Sequence, residues 1–267
     1  MVNLHQLNSR AEWHLTLKIA SPLHIGGSNE KLKSGYKNQG ASAATISLLD
    51  LKDQEEAHFF LVPGSSLRGV TRAYLEELAL AEKQRALTEI VSRLYGDIKN
   101  KNQPLPSVKG RFWIGDGRIP KAHAETKFIT PIDRLTHKPL VPLSLQTVKV
   151  GKTFDVQLSV ENPTSYEYGI IALLLRAFVN GEISVGSGTS RGLGRLELEK
   201  SAVTITQFGQ QGLITEDQQP ISEVGFSQAK QLLGQCYTRQ DAGTACYTWM
   251  QFGATALQTA LKKGGWT

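Results

Sequence analysis

The fold is decided by residues 153–179, which read TFDVQLSVENPTSYEYGIIALLLRAFV. In the first nine residues polar and apolar side chains alternate, which is the pattern of a strand with one buried face. The apolar members of this strand are Phe154, Val156, Leu158 and Val160. Residues 168–179 are strongly apolar, and Asn180-Gly181 follows them as a helix end. The stretch therefore predicts a half-buried strand that leads into a buried helix.

Strand and helix patterns extend this prediction toward both ends of the chain. Further strands are expected at residues 13–20, 44–49, 58–62, 111–114 and 195–199. Further helices are expected after the turn at 63–66 and at residues 82–95. The order strand, helix, strand, strand, helix, strand predicts an α+β fold with a ferredoxin-like antiparallel sheet and helices on one face. The RNA-recognition module (RRM) binds RNA on a sheet of this kind.

The bulk properties narrow the class of protein. The 267 residues are 40% hydrophobic and 20% charged, which is the balance of a globular domain. No apolar run is long enough to span a membrane and the first residues lack a secretory signal, so we expect a cytoplasmic protein without a membrane partner. Cys236 and Cys246 are too few for a disulfide scaffold, and no Cys/His spacing indicates zinc. The net charge of +6 suits a nucleic-acid partner without requiring one.

A glycine-rich segment at residues 185–196, VGSGTSRGLGRL, has the composition of an anion-binding loop. Glycines let a phosphate approach the backbone amides closely, while Arg191 and Arg195 supply positive charge. A dinucleotide-binding loop is excluded by context, because the segment follows a helix and enters a strand. It also lacks the Gly-Lys-Ser/Thr ending of a P-loop. The alternative is a glycine-rich hairpin with solvated arginines.

A second segment at residues 62–72, VPGSSLRGVTR, reads as a helix N-terminus. The turn before the helix supplies an N-cap, and the first helical N–H groups are donors for an anion. Arg68 and Arg72 lie one turn apart and can follow a chain of phosphates. The alternative is a well-capped structural helix in which Arg72 pairs with Glu76 at i,i+4.

In their order along the chain, the segments at 62–72 and 185–196 resemble those of the RAMP superfamily of CRISPR proteins, and in particular the backbone subunits of type III effector complexes. The segment SPLHIGGS at 21–28 matches the LHIGG loop of those subunits, and IDRLT at 132–136 matches their IDRxTG segment with His137 in place of the glycine. Tyr95-Gly96 and residues 111–116 match later positions of the family more loosely. The resemblance covers about residues 12–199.

The resemblance implies a ribonucleoprotein subunit of antiviral defence that binds CRISPR RNA, target RNA and other effector subunits. Residues 1–204 would form the RNA-binding domain, with insertions at about 21–43 and 96–150. Residues 205–267 would form a linker and a helical extension, with helices at 226–235 and 247–263. A projecting thumb at 133–140 would interrupt guide–target pairing. The residues expected at the RNA are His24, Gly26, Gly27, Ser65, Ser66, Arg68, Arg72, Asp133, Arg134, Gly186, Ser187, Gly188, Thr189, Ser190, Arg191, Gly192, Gly194 and Arg195.

The resemblance also bears on catalysis. Active relatives cleave target RNA with an aspartate after the LHIGG loop, near a divalent metal, and alignment places Asn38 at that position. An amide neither carries a charge nor accepts a proton at neutral pH, so we expect no catalytic residue, no metal and no cofactor. Two alternatives stay open. Glu30 or Asp50 could serve a Mg²⁺-dependent target-RNA nuclease, or His24 could serve a metal-independent CRISPR RNA-processing nuclease.

Overall fold

The structure is a computed structural model that describes residues 6–26, 45–46, 50–52, 58–97, 109–140, 142–209, 212–231 and 234–263. The strands are β1 (Ser9–Ile19), β2 (Thr45–Ile46), β3 (Asp50–Lys52), β4 (His58–Val62), β5 (Phe112–Ile114), β6 (Gly117–Pro120), β7 (Ala124–Ile129), β8 (Leu143–Val148), β9 (Thr153–Glu161), β10 (Leu196–Phe208), β11 (Ser227–Gln231) and β12 (Gly234–Ala242). The helices are α1 (Gly64–Ala81), α2 (Arg85–Tyr95), α3 (Ser165–Val179), α4 (Ala245–Thr248) and α5 (Gln251–Lys263). None of these helices is long and apolar enough to cross a membrane.

The main sheet has the strand order β11-β12-β10-β1-β9-β5 within the described part of the chain. Strand β1 lies between β10 and β9 and is antiparallel to both. The four strands β10-β1-β9-β5, connected through α1 and α3, have the strand order of the ferredoxin-like fold. The predicted fold class is confirmed.

The core lies between the sheet and its helices. Strand β1 alternates strictly, with Ala11, Trp13, Leu15, Leu17 and Ile19 buried. Strand β9 buries the four apolar side chains that its sequence pattern predicts. At the start of helix α3 the Glu167 carboxylate accepts the Thr164 amide, and the helix is buried over most of its circumference. The apolar face of the sheet is therefore covered by helices, and the polar face is open.

Strand β10 contains a bulge opposite β1. The register shifts between Thr16 and Leu17, so Thr16 pairs with Lys200 while Leu17 pairs with Leu198. Glu199 is the extra residue, and it is exposed. Before the bulge the buried residues are even-numbered, and after it they are odd-numbered, from Ser201 to Gln207. The bulge keeps both halves of the strand facing the core.

The C-terminal segment differs from the sequence prediction. The helix expected at residues 226–235 is wrong, because this segment forms β11 and the start of β12. Strand β12 pairs with β10 from Phe208 back to Lys200, and so satisfies backbone groups that β10 would otherwise expose at an edge. The second expected helix, at 247–263, is present as α4 and α5. The boundary placed after residue 204 falls inside β10.

Two glycines bring α5 against α3. A Cβ atom added to Gly169 would lie 2.4 Å from the carbonyl oxygen of Gly253, and one added to Gly253 would lie 2.6 Å from the amide nitrogen of Gly169. The helices therefore touch at the backbone. Larger side chains at either position would separate them.

A buried ion pair fastens α3 to the edge of the sheet. Arg111 precedes β5, and its guanidinium contacts the Glu167 carboxylate, with side chains only 8% and 1% exposed. The same guanidinium donates to the carbonyl oxygens of Glu161 and Asn162, both at 2.8 Å. The second oxygen of Glu167 accepts the Thr164 amide at 2.9 Å. Both charges are thus paired and hydrogen-bonded, which a buried ion pair requires.

We expect Glu167→Gln to lower the free energy of unfolding by about 3–5 kcal/mol, because it leaves the Arg111 charge buried without a counter-ion. Glutamine can keep an oxygen for the Thr164 amide, but its NH2 group then faces the Arg111 guanidinium, so the change removes the charge together with one acceptor. Urea denaturation measures the effect. Glu89→Gln is the matched control, since its partner Arg85 lies 3.9 Å away and is 94% exposed, and it should cost less than about 0.5 kcal/mol. Equal losses in the two variants would contradict the assignment.

Candidate nucleic-acid interface

The glycine-rich segment lies at the end of the sheet where β1 ends and β10 begins. Ile19 pairs with Leu196 there, so residues 20–26 run directly beside residues 185–195. The Ala20 amide donates to the Arg195 carbonyl at 2.9 Å, and the Arg195 amide donates to the Ser21 hydroxyl at 2.9 Å. The glycine-rich segment and the LHIGG segment that the family resemblance indicates are therefore joined in space.

Two of the glycines serve this close contact. Gly186 has φ +91°, and a Cβ atom on it would lie 2.2 Å from the His24 carbonyl oxygen. Gly194 has φ +80°, and its Cβ would lie 2.0 Å from the Val185 carbonyl oxygen. Both positions exclude any side chain on steric grounds, and both adopt a backbone conformation that favours glycine. These residues shape the loop rather than approach a ligand.

Most amides of the loop are engaged within the protein, which corrects the expectation of a row of exposed donors. The Ser187 amide donates to the His24 carbonyl at 2.9 Å, and the Gly194 amide donates to the Pro22 carbonyl at 2.9 Å. The amides of Arg191, Gly192 and Leu193 bond within the loop itself. The physical reason is that a tight turn between two paired segments uses its own donors. Contacts to a ligand must therefore come mainly from side chains.

Residues 189–191 form one turn of 3₁₀-helix that points outward from the sheet. Gly188 and Gly192 flank it, both in the left-handed region. Thr189, Ser190 and Arg191 are exposed, and together they offer two hydroxyl groups and a guanidinium. Arg195 is also exposed, but its guanidinium donates to the Asn180 carbonyl at 3.2 Å and lies 3.8 Å from the Glu197 carboxylate. Arg191 is the better placed of the two cations to meet an external anion.

A cavity of about 240 Å³ opens beside this turn. Its walls are Ile129, Leu145, Ser187, Gly188, Ser190, Arg191 and Leu193. Ile129 ends β7 and Leu145 lies in β8, so the paired strands of the β7–β8 hairpin form one side and the glycine-rich loop forms the other. The aliphatic side chains form an apolar floor, while the serines and the arginine supply polar atoms. The sequence carries no signal for Ile129 and Leu145, because single aliphatic residues in short strands form no motif, whereas Leu193 lies within the glycine-rich segment itself.

The tip of the β7–β8 hairpin projects from the molecule. The Asp133 carboxylate accepts the amides of Leu135 at 2.7 Å and Thr136 at 3.0 Å. The bonds from Thr136 and Leu135 lower the pKa of the Asp133 carboxyl. His137 has φ +53°, a conformation that glycine adopts most readily, and it stands where the family pattern has glycine. Asp133 therefore holds the turn, and Arg134 is exposed beside it.

Large apolar side chains are exposed along this hairpin. The exposed fractions are 70% for Phe128, 64% for Ile132, 92% for Leu135 and 50% for Leu140. Four large exposed apolar side chains on one hairpin favour a contact site over a surface that faces only solvent.

The side chain of His24 lies inside the protein and is 1% exposed. Its Nδ1 is 2.7 Å from the Gln146 carbonyl oxygen of β8. A buried ring with this bond cannot reach a substrate, so the geometry does not support His24 as a surface general acid or base. Gly26 lies beside the ring.

Gly27, which was expected at the RNA, and Glu30 and Asn38, which bear on catalysis, lie outside the described residues. Asp50 is the first residue of β3. Within the described part of the chain, no group of three His, Cys, Asp or Glu residues could hold a metal ion.

The N-terminus of α1 is organised differently from the prediction. Pro63 is the N-cap without a side-chain cap bond, and Ser65 and Ser66 lie inside the first turn. The Gly64 amide donates to the Asp116 carboxylate at 2.7 Å. A carboxylate of the protein therefore occupies the position where the sequence predicted an external anion, since the free amides of a helix N-terminus attract negative charge.

Arg68 and Arg72 have partners within the protein. The Arg72 Nε donates to the Glu76 carboxylate at 2.7 Å, as the alternative proposed for this helix requires, and its Nη1 donates to the Gly96 carbonyl at 3.1 Å. The Arg68 guanidinium donates to the Tyr95 carbonyl and stacks 5.3 Å from that ring. These contacts join α1 to the end of α2. Both arginines thus serve the fold in this conformation.

The two predicted RNA segments do not form one continuous cradle. The first turn of α1 packs against Ile114 and Gly115 at the end of β5, whereas the glycine-rich loop precedes β10. Strands β5 and β10 are three strand spacings apart, or about 14 Å. Both segments lie at the same end of the sheet, but one lies beside β10 and the other beside β5.

We expect Gly186→Ala to destabilise the protein more than Gly192→Ala. Both glycines have positive φ, at +91° and +79°, so both variants carry a similar backbone strain of about 1–2 kcal/mol. Only Gly186 also has a backbone atom in the way, whereas Gly192 has nothing within 4 Å. Thermal and urea unfolding of the two variants measure the difference. Equal stabilities would show that the contact with His24 is not needed.

Comparison with known proteins identifies a family and a chain of similar fold. The family model of the RAMP superfamily matches residues 16–197, while no curated protein matches the sequence significantly. A chain in the cryo-EM structure of the type III-B Cmr-beta bound to cognate target RNA is similar in fold, with 16% identity and a TM-score of 0.50. The match covers 73% of this chain and 61% of that one, so this chain spans less than two thirds of its length. Because the family match covers more than half of the sequence, the chain belongs to the RAMP superfamily.

Proposed function

We propose that this protein is a guide-RNA-binding subunit of a type III CRISPR ribonucleoprotein, with target RNA and other effector subunits as its partners and no nuclease activity of its own. The observation that carries the proposal is the exposed turn at 189–191, which lies across a cavity from the paired strands of the β7–β8 hairpin. Such a complex would work in the cytoplasm. The similarity to a chain of a complex bound to target RNA supports the choice of partner.

The turn offers the contacts that a ribose-phosphate strand needs. The Arg191 guanidinium can bond two phosphate oxygens, and the hydroxyls of Thr189 and Ser190 add neutral donors. These groups recognise the backbone and not the bases, so binding would be independent of sequence. That property suits a subunit that must accept any guide.

The centre of the open face of the sheet is a poor candidate for base stacking. Central strands β1 and β9 carry Arg10, Glu12, His14, Thr16 and Lys18, and Thr153, Asp155, Gln157, Ser159 and Glu161 on this face. None of these is the Phe, Tyr or Trp on which RRM modules stack bases. Edge strand β5 adds Trp113 to the same face, where it pairs with Ser159 and is 51% exposed. We therefore place the RNA backbone at the end of the sheet that bears the turn at 189–191, and Trp113 offers a stacking surface at the margin of the open face.

The hairpin supplies a second kind of contact. Its exposed Leu135 and Ile132 are the sort of apolar side chains that separate stacked base pairs when inserted between them. The turn held by Asp133 keeps them at the tip. The hairpin would thus serve as the thumb that interrupts guide–target pairing, while the loop holds the guide.

We expect Arg191→Ala to weaken binding of a guide-length single-stranded RNA and to reduce the slope of log K against log salt by about 0.7, the value for one lost phosphate contact. Titrations at several salt concentrations measure the slope. Arg85→Ala removes an equally exposed cation from α2 and should leave it unchanged. Arg195→Ala should have a smaller effect, because Asn180 and Glu197 already engage that side chain. An unaltered slope for Arg191→Ala refutes the proposed contact.

We expect Asn38→Ala to leave unchanged the rate at which the assembled particle cleaves target RNA in Mg²⁺. The reason is that an amide supplies neither a base nor an anionic metal ligand. Labelled target RNA and time-resolved gels measure the rate. If Glu30→Ala or Asp50→Ala abolishes cleavage, the protein is instead the metal-dependent nuclease.

A further inference from the structure

We propose that His24 is a positioning residue that fixes the distance and orientation between the glycine-rich loop and the paired strands of the β7–β8 hairpin. The inference rests on the proposed function, because it concerns the two parts of the protein that would contact RNA. It assigns the histidine a role that is neither catalytic nor a direct contact with the ligand.

The ring makes the contact with the hairpin. Its Nδ1 lies 2.7 Å from the carbonyl oxygen of Gln146, one residue beyond Leu145 in the cavity wall. A carbonyl only accepts hydrogen bonds, so Nδ1 must carry the proton. The ring is 1% exposed, and water therefore cannot replace this bond if the ring is removed.

The backbone of the same residue makes the contact with the loop. Its carbonyl oxygen accepts the Ser187 amide at 2.9 Å, and Ser187 lines the cavity opposite Leu145. The absent side chain of Gly186 lets the two backbones come this close. One residue thus bonds to both walls of the cavity.

The two residues before His24 also hydrogen-bond to the hairpin and to the loop. Leu23 forms a two-way bridge with Val148 of β8, with N–O distances of 3.3 and 2.8 Å. Pro22 accepts the Gly194 amide at 2.9 Å from the other side. Residues 22–24 therefore lie as a layer between hairpin and loop, and the histidine ring is the side chain that hydrogen-bonds across it. A buried histidine that only filled the core would not need a partner on each wall.

The test uses three substitutions of His24 in the full chain. His24→Leu removes the donor and leaves the Gln146 carbonyl unsatisfied. His24→Asn places an amide nitrogen near the position of Nδ1 and can restore the bond, whereas His24→Gln places it near Nε2 and cannot. His14→Leu, on the open face of β1, is the matched control because it removes an exposed histidine.

Amide hydrogen exchange of the RNA-free protein gives the first readout. We expect His24→Leu and His24→Gln to raise exchange at Ser187 and Val148 by about tenfold, with β1 amides unchanged and His24→Asn close to the original protein. Affinity for guide-length single-stranded RNA gives the second readout and should fall in the same order. His14→Leu should alter neither.

Three other outcomes would overturn the proposal. Uniformly faster exchange across β1, Ser187 and Val148 would make His24 a general stability residue. Unchanged exchange would mean that the ring holds nothing. Faster exchange at both sites with unaltered RNA affinity would mean that the fixed distance and orientation do not matter for binding. If the original protein itself binds no RNA while the exchange pattern is as expected, the proposed function fails and the contact made by His24 stands.

Discussion

The antiparallel pairing of β1 with β10 is the constraint on which the rest of the site depends. It brings the end of one strand beside the start of the other, so that Ile19 faces Leu196. The segment after β1 and the loop before β10 must then share one small space. Their amides and carbonyls satisfy each other there, and glycine is needed where the backbones touch. The exposed turn at 189–191 is what remains outside.

The sequence predicts the architecture well, because alternation and apolar runs report burial directly. Strand β9 and helix α3 lie almost where the stretch at 153–179 indicates, and strand β1 has the predicted buried face. The glycine-rich segment is indicated by its composition and the LHIGG segment by the family resemblance, and the two are neighbours in the structure. What a motif locates is a place in the fold.

The chemistry of individual residues is harder to predict, because it depends on partners that are distant in sequence. The arginine at 68 finds a carbonyl 27 residues away, and the amide of Gly64 finds a carboxylate 52 residues away. No rule based on the spacing of residues in the sequence predicts either contact. The strand pair at the C-terminus was mistaken for a helix for a similar reason. Its stability comes from the free edge of β10, which a local pattern cannot reveal.

The extra residue in β10 has a consequence for how the two ends of that strand can be oriented. If Glu199 were deleted, the alternation of buried and exposed positions would run without interruption from Leu196 to Gln207. The core would thus tolerate the deletion, yet the strand would lose a bend, since an inserted residue increases local coiling. The inserted Glu199 therefore affects the angle between the end of the sheet that bears the glycine-rich loop and the edge formed by β11 and β12. A relative with one residue fewer here would aim the same two surfaces in different directions without altering a single interior side chain.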